Sequence, residues 1–278
     1  MTNHLNLTEK FISFNESILS VVDFNYTYSD SDKVIYEVIR VINSTPIFLE
    51  LHLNRLYNSI KLMDFIAPER SFITKKIIDL LKANPITENN IRISLVYKSF
   101  SKPDLLIYFI PSTYPTDNQK TNGINIKTLK ANRDNPNAKI ENINLRVNAN
   151  AIIKETGCYD VLLINKDGYI TEGSRSNVMF IKNNYLISAP LKMILAGISR
   201  QVVVNAAKDI GIQVKEELIT ADEISSFDGA ILTGTSPGIL PIASIDNHIF
   251  RVELPLIISL TKQYYNAVAR DISNFKAS

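Results

Sequence analysis

Glu172 is the most informative acid in the sequence. It lies just past an Asp167-Gly168 turn, between the apolar runs 161–164 and 178–181. A carboxylate between two buried strands is unfavourable unless a cation meets it. Two other stretches have the make-up of anion cradles. In LAGISR, residues 195–200, Gly197 precedes a helical pattern starting at Ile198 and Ser199. The N–H groups at a helix start, with the helix dipole, bind phosphate. In LTGTSPG, residues 232–238, an apolar strand stops in glycines and hydroxyls. Its amides and the Thr235 hydroxyl can reach a second face of such an anion. Each feature alone also reads as common structure: a turn acid, a helix start, a polar turn. Together they point to a phosphorylated cationic heterocycle.

Other chemistries find little support. The histidines, His4, His52 and His248, are far apart, and no HExxH or paired cysteines accompany them, so a dedicated metal site is not expected. GxSxG, Walker and GxGxxG patterns are absent from the sequence. Cys158 stands alone, beside Tyr159 and an apolar run, and reads as packing in a reducing compartment. The net charge of +2 gives no field for nucleic acid or an anionic membrane. Residues 1–11 lack the pattern of a signal peptide, and no run approaches the roughly 18 apolar residues of a membrane span. A cytoplasmic protein is the expectation.

The chain that must position these groups has 278 residues, 45% hydrophobic and 21% charged, enough for two domains with ordinary cores. PSTYPTDNQKTNG, residues 111–123, breaks every period. It divides the chain into a domain at 1–115, a linker at 116–123 and a domain at 124–278. In the first, VIYEVIRV (residues 34–41) reads as a strand interrupted by Glu37 and Arg40. Leu49, Leu53, Leu56, Ile60 and Met63 mark a helix, with Arg55 on the opposite face. Ser71 is the expected cap of a second helix, residues 71–81, and a hairpin turns at 101–104. In the second, residues 147–156 and 198–210 are helical, each closed by a glycine, and 254–274 is the last helix. Residues 160–180 form the central hairpin, and 131–137 a polar loop.

The pieces YEVIRV, HLNRLYNS, GCYDVLLINKDGYITEGSRSNVMF, ILAGISR and LTGTSPGILPI, in this order and spread over most of the chain, resemble the class IV aminotransferase family. These are fold type IV pyridoxal-phosphate enzymes: branched-chain aminotransferases, D-amino-acid transaminases and aminodeoxychorismate lyases. The resemblance implies a two-domain α/β (α+β type) architecture. It has a small N-terminal α/β domain, a larger C-terminal domain with a β-barrel-like core, and pyridoxal 5'-phosphate in the cleft. It places the Schiff-base lysine at Lys139, followed by Asn142. Glu172 matches the carboxylate that pairs with the pyridine nitrogen. Arg55, Ile198, Ser199 and Thr235 match the phosphate ligands. Tyr28 matches a tyrosine lining the substrate pocket, and Ser236 offers an amide to a substrate carboxylate.

The sequence also departs from that pattern. SDSDKVI, residues 29–35, lacks the glycines usual before the YE strand. KSFSKPDLLIYF, residues 98–109, lacks the arginine and histidine of the D-amino-acid enzymes, which argues for L-amino acids. Where branched-chain enzymes place a tyrosine, residues 142–144 are polar or aliphatic. The resemblance therefore implies an aminotransferase that takes an L-amino acid, branched-chain-like, with 2-oxoglutarate as acceptor. Aminodeoxychorismate lyase, releasing pyruvate and 4-aminobenzoate, is the first alternative. A non-catalytic binding protein on the same fold is the second. A homodimer is the family expectation.

Overall fold

The computed structural model describes residues 2–22, 24–98 and 102–277. Part of the turn expected at 101–104 therefore lies outside the described residues. The chain forms two compact units, and neither is a single stretch of sequence. The first comprises residues 1–113, 138–141 and 270–278; the second comprises 114–137 and 142–269.

The division at 115 thus misses two later pieces of chain that belong to the first unit. The segment expected as a linker is also structured: Asp117–Asn122 is a helix within the second unit. Thr116 accepts from the Gln119 amide, and the Gln119 side chain reaches back to the Thr116 N–H. This capping box stabilises a helix that periodicity alone would not reveal.

A six-stranded antiparallel sheet builds the first unit, in the order Ser17–Ser20, Phe11–Phe14, Asp104–Ile110, Glu88–Tyr97, Lys33–Ile42, Thr45–Pro46. Alternation along Lys33–Ile42 sends Ile35, Ile39 and Val41 to one face, against the helices Leu49–Leu62 and Arg70–Ala83. Val34 and Tyr36 go to the other face, with Val96, Leu106 and Tyr108. Register pairs Glu37 with Ile93 and Val38 with Arg92, so Glu37 lies on the helix face and Arg92 on the opposite one. The second helix starts at Arg70, with Glu69 rather than Ser71 at the N-cap position and no side-chain cap.

The second unit carries a ten-stranded sheet, in which His248–Ile249 pairs with Gly238–Ile245 off the main path. Its path runs from Val214–Glu216 through Tyr185–Ser188, Asn177–Lys182, Gly229–Gly234, Gly238–Ile245, Ile124–Lys130, Asp160–Ile164 and Tyr169–Gly173 to Ile219–Thr220. Only two residues separate the first and last strands of this path in sequence, so the sheet curls back on itself. Alternate residues, such as Leu162, Ile164, Val178, Phe180, Leu232, Leu240 and Ile242, fill one shared core. This is the barrel-like arrangement expected from the resemblance. On the outside, the helix Ile143–Thr156 packs Leu145 and Ala149 on Val161, Leu163 and Cys158. Cys158 is thus a packing residue. No described helix is long and apolar enough to cross a membrane.

Candidate active site

Lys139 lies in the short stretch 138–141, which joins the edge of the strand Lys33–Ile42. Tyr36 N–H donates to the Lys139 carbonyl at 3.1 Å, and Glu141 N–H donates to the Val34 carbonyl at 3.0 Å. A third hydrogen bond comes from the helix Leu49–Leu62: the Lys139 N–H donates to Ser59 Oγ at 3.0 Å. The ammonium lies 4.8 Å from the Tyr36 ring centroid.

His52, Arg55 and Ser59 recur at helical spacing and form one buried ridge on that helix. Opposite them is Glu37, fully buried. Arg55 Nε and Nη2 donate to Glu37 Oε1 and Oε2, each at 2.7 Å, and His52 Nδ1 lies 2.8 Å from Oε2. Arg55 lies off the leucine stripe of this helix but not at the surface. It is 8% exposed, because the strand's buried acid requires a cation from the facing helix. Burial works to raise the Glu37 pKa, but the Arg55 charge and hydrogen bonds and those of His52 bring it to about 2. Burial, with the nearby Arg55 and Lys139 charges, pushes His52 down despite Glu37. The imidazole is accordingly neutral, and Nδ1–H donates to the carboxylate. The bidentate pair uses one edge of the guanidinium and fixes its orientation.

On the other sheet face, Arg92 Nη2 donates to Glu141 Oε1 at 2.7 Å, and Tyr28 Oη donates to Glu141 Oε2 at 2.7 Å. Tyr28 is thus held in the same unit as Lys139. Its hydroxyl pKa is raised by burial and by Glu141.

In the second unit, Glu172 is 2% exposed at the end of the strand Tyr169–Gly173. Leu195 N–H donates to its Oε2 at 3.0 Å, and the Asn177 amide reaches the same oxygen at 3.3 Å. Arg133 Nη1 donates to Oε1 at 2.9 Å. The cation that the buried acid requires is therefore supplied within the chain, by the loop expected at 131–137. Asn177 Nδ2 also donates to the Leu195 carbonyl at 3.0 Å, tying the hairpin to the approach of the next helix. A neighbouring acid, Asp160, accepts from Ser174 Oγ and Ser176 Oγ and fixes the turn between the two strands.

That next helix is Ile198–Asp209, with Gly197 at its N-cap and no side chain capping it. Ile198 and Ser199 are buried in its first turn. Ser199 Oγ lies 3.3 Å from Tyr264 Oη, on the helix Pro255–Ala277. Thr235 and Ser236 occupy the hairpin turn between Gly229–Gly234 and Gly238–Ile245. Gly238 has φ of 64°, and a Cβ there would lie 3.1 Å from Tyr264 Cε1. Tyr264 thus touches both the helix start and the hairpin turn. Beneath that turn, Thr233 Oγ1 is buried with no hydrogen-bond partner among the described residues.

The sequence-selected residues divide between the units. Lys139, Arg55 and Tyr28 belong to the first; Glu172, Ile198, Ser199, Thr235 and Ser236 belong to the second. Asn142 caps the helix Ile143–Thr156 by accepting from Leu145 N–H at 3.0 Å. Sequence reasoning passed over Glu37, Arg92, Arg133, Glu141 and Tyr264 as site residues. Arginines in strands or loops far from their acids carry no local spacing signal. Among the described residues no group of three or more His, Cys, Asp or Glu is arranged to hold a metal ion. The donor set suits a phosphorylated pyridine. An uncapped helix start and a hydroxyl-bearing turn offer donors to an oxyanion, and a fixed buried carboxylate suits a ring cation.

Comparisons with known proteins identify a family that uses such a cofactor. The family model for class IV amino-transferases matches residues 34–245. A Methanocaldococcus jannaschii protein, given a provisional name as a branched-chain-amino-acid aminotransferase, is 27% identical over 256 residues, covering 87% of this chain and 88% of its own. The D-alanine aminotransferase of Bacillus licheniformis is 28% identical over 245 residues, 84% of each chain. The structure of the branched-chain amino acid aminotransferase of Thermobaculum terrenum in its pyridoxal-phosphate form superposes with a TM-score of 0.82 at 24% identity, over 98% of this chain and 97% of that one. The chain belongs to the class IV aminotransferases, enzymes that depend on pyridoxal 5'-phosphate.

Proposed function

We propose that this protein transfers the amino group of an apolar L-amino acid to a 2-oxo acid, with Lys139 as the residue that moves the proton. The observation that carries this reading is the environment of Lys139. Its backbone is clamped by Ser59 and Tyr36, and its ammonium lies on the Tyr36 ring. A lysine held this way shuttles a proton at the substrate Cα as general base and acid.

Bound pyridoxal phosphate supplies the electron sink for the Cα electrons. Arg55, oriented by Glu37, and the amides of Ile198 and Ser199 with the Thr235 hydroxyl are the groups that would hold its phosphate. Glu172, fixed by Leu195, Asn177 and Arg133, would keep the ring nitrogen protonated, because a nearby anion favours a cation. Anchoring both ends of the cofactor sets the distances that the proton transfer needs. The L-preference rests on residues 98–109, which lack the arginine and histidine of the D-amino-acid enzymes. A homodimer fits the family resemblance, and a cytoplasmic setting fits the lone cysteine.

The test is a substrate panel with purified, cofactor-loaded protein: branched-chain, aromatic and D-amino acids with several 2-oxo acids, and aminodeoxychorismate alone. Amino transfer from apolar L-amino acids is expected. Pyruvate released from aminodeoxychorismate, without amino transfer, would replace this reading with the lyase.

A further inference from the structure

The sheet face beside Lys139 carries a second cation. Arg92 Cζ lies 4.2 Å from the Tyr36 ring centroid, and Lys139 Nζ lies 4.8 Å from the same point. The two cations are therefore at most 9.0 Å apart, the sum of those distances. Within that limit, one small amino acid can reach both groups. An arginine there has the geometry to clasp a second, distal carboxylate of a substrate.

In this chain, however, that arginine is already committed. Glu141 Oε1 accepts from Arg92 Nη2 at 2.7 Å, and the side chains of the ion pair are only 11% and 13% exposed. The Arg92 Nε donates to Ser94 Oγ at 2.9 Å, which fixes the guanidinium plane. Tyr28 Oη donates to Glu141 Oε2, which fixes the carboxylate. Glu141 comes two residues after Lys139, in a segment paired with the strand Lys33–Ile42 through Ile35 and Ile140, so both side chains fall on one side of that segment.

We propose that Glu141 is a specificity-determining residue: it takes the place of a substrate's distal carboxylate on Arg92, so that the site accepts monocarboxylic 2-oxo acids and amino acids and rejects dicarboxylic ones. A dicarboxylic acceptor such as 2-oxoglutarate would have to displace Glu141 and leave a largely buried carboxylate beside its own, and like charges in contact are strongly unfavourable. A monocarboxylic acceptor with an apolar tail meets a wall whose charges cancel. This departs from the 2-oxoglutarate expectation. It rests on the proposed role of Lys139.

The test pairs turnover with binding. The loaded protein is converted to its amino form with an apolar L-amino acid, then mixed with 2-oxobutyrate or 2-oxoglutarate, and the return of the visible absorbance is followed. In parallel, calorimetry measures binding of butyrate and glutarate, which cannot react. The wild type is expected to favour 2-oxobutyrate and butyrate by about 10-fold or more. Glu141→Gln should shift both ratios toward the dicarboxylate by roughly 10- to 100-fold, and adding Arg92→Gln should cancel the shift. Equal or better use of 2-oxoglutarate by the wild type overturns the proposal, as does a Glu141→Gln protein whose ratios do not move. If that variant does not fold, the wild-type butyrate-to-glutarate ratio decides alone. If no 2-oxo acid is turned over, the aminotransferase reading fails, while the binding arm still tests Glu141.

Discussion

Gly197 and Asn177 are packed so closely that a Cβ on the glycine would lie 1.9 Å from Asn177 Oδ1. The same asparagine bridges Glu172 and the Leu195 carbonyl. Gly197 has an ordinary φ of −63°, so the constraint is space and not backbone conformation. Gly197→Ala must push Asn177 away and loosen the acid from the helix start in one step. The expected loss is roughly 1–3 kcal/mol of stability, together with weaker cofactor retention. Thermal melts with and without pyridoxal phosphate check both, and a variant with wild-type melting and retention would show that Asn177 moves freely.

Lys139→Ala should abolish the visible band of the loaded protein and slow transamination by about 10²- to 10⁴-fold. Absorbance and single-turnover kinetics measure this. A band that survives unchanged would move the Schiff base to another lysine.

Arg133 is the cation on Glu172, at 14% and 2% side-chain exposure. Removing one partner of such a pair strands the other charge, at roughly 3–5 kcal/mol. Arg133→Ala should therefore melt well below wild type when free of cofactor and recover part of the difference when loaded, because a ring cation can replace the guanidinium. An equal drop in both forms would mean that the cofactor does not reach Glu172.

The polar ridge of the first unit predicts acid sensitivity. Glu37 has a folded pKa of about 2, below the ordinary 4.5, so its contribution is present above pH 4.5 and fades as pH falls toward 2. The size is roughly 3 kcal/mol at neutral pH. His52 is also lowered, so the unfolded chain takes up its proton first and stability declines below about pH 6.5. Chemical denaturation from pH 7 to 3 should show both slopes. Glu37→Gln should flatten the lower one while lowering stability at pH 7. An unchanged slope would remove Glu37 as its source.

What the sequence revealed and what it hid follow one physical rule. Glu172, Gly197 and Thr235 were readable because each sits where a strand or helix visibly stops, and a stop leaves a local pattern. Glu37 read only as an interruption in a strand, because the groups that justify it, His52 and Arg55, lie a helix away and look like surface residues by periodicity. Arg92 and Glu141 are 49 residues apart, and Arg133 and Glu172 are 39 apart, so no window contains either pair. The helix Asp117–Asn122 was hidden for the opposite reason. Its signal was local, Thr116 followed by Gln119, but the prolines and polar residues around it masked the capping box.

The stretch carrying Lys139 has a consequence for how the chain is made. The first unit needs residues 138–141 and residues from 270 onward. Phe48 N–H, at the start of the Leu49–Leu62 helix, donates to Asp271 Oδ2 at 2.6 Å. The strand Lys33–Ile42 therefore leaves the ribosome with the Val34 carbonyl and Tyr36 amide unmatched, and an open strand edge is a template for wrong pairing. It gains those partners only after 139 and 141 emerge, and the helix start is held only once the last turns of chain arrive. A protein expressed as residues 1–113 would keep its sheet sequence yet lack these closing contacts, so the N-terminal unit depends on the far end of its own chain.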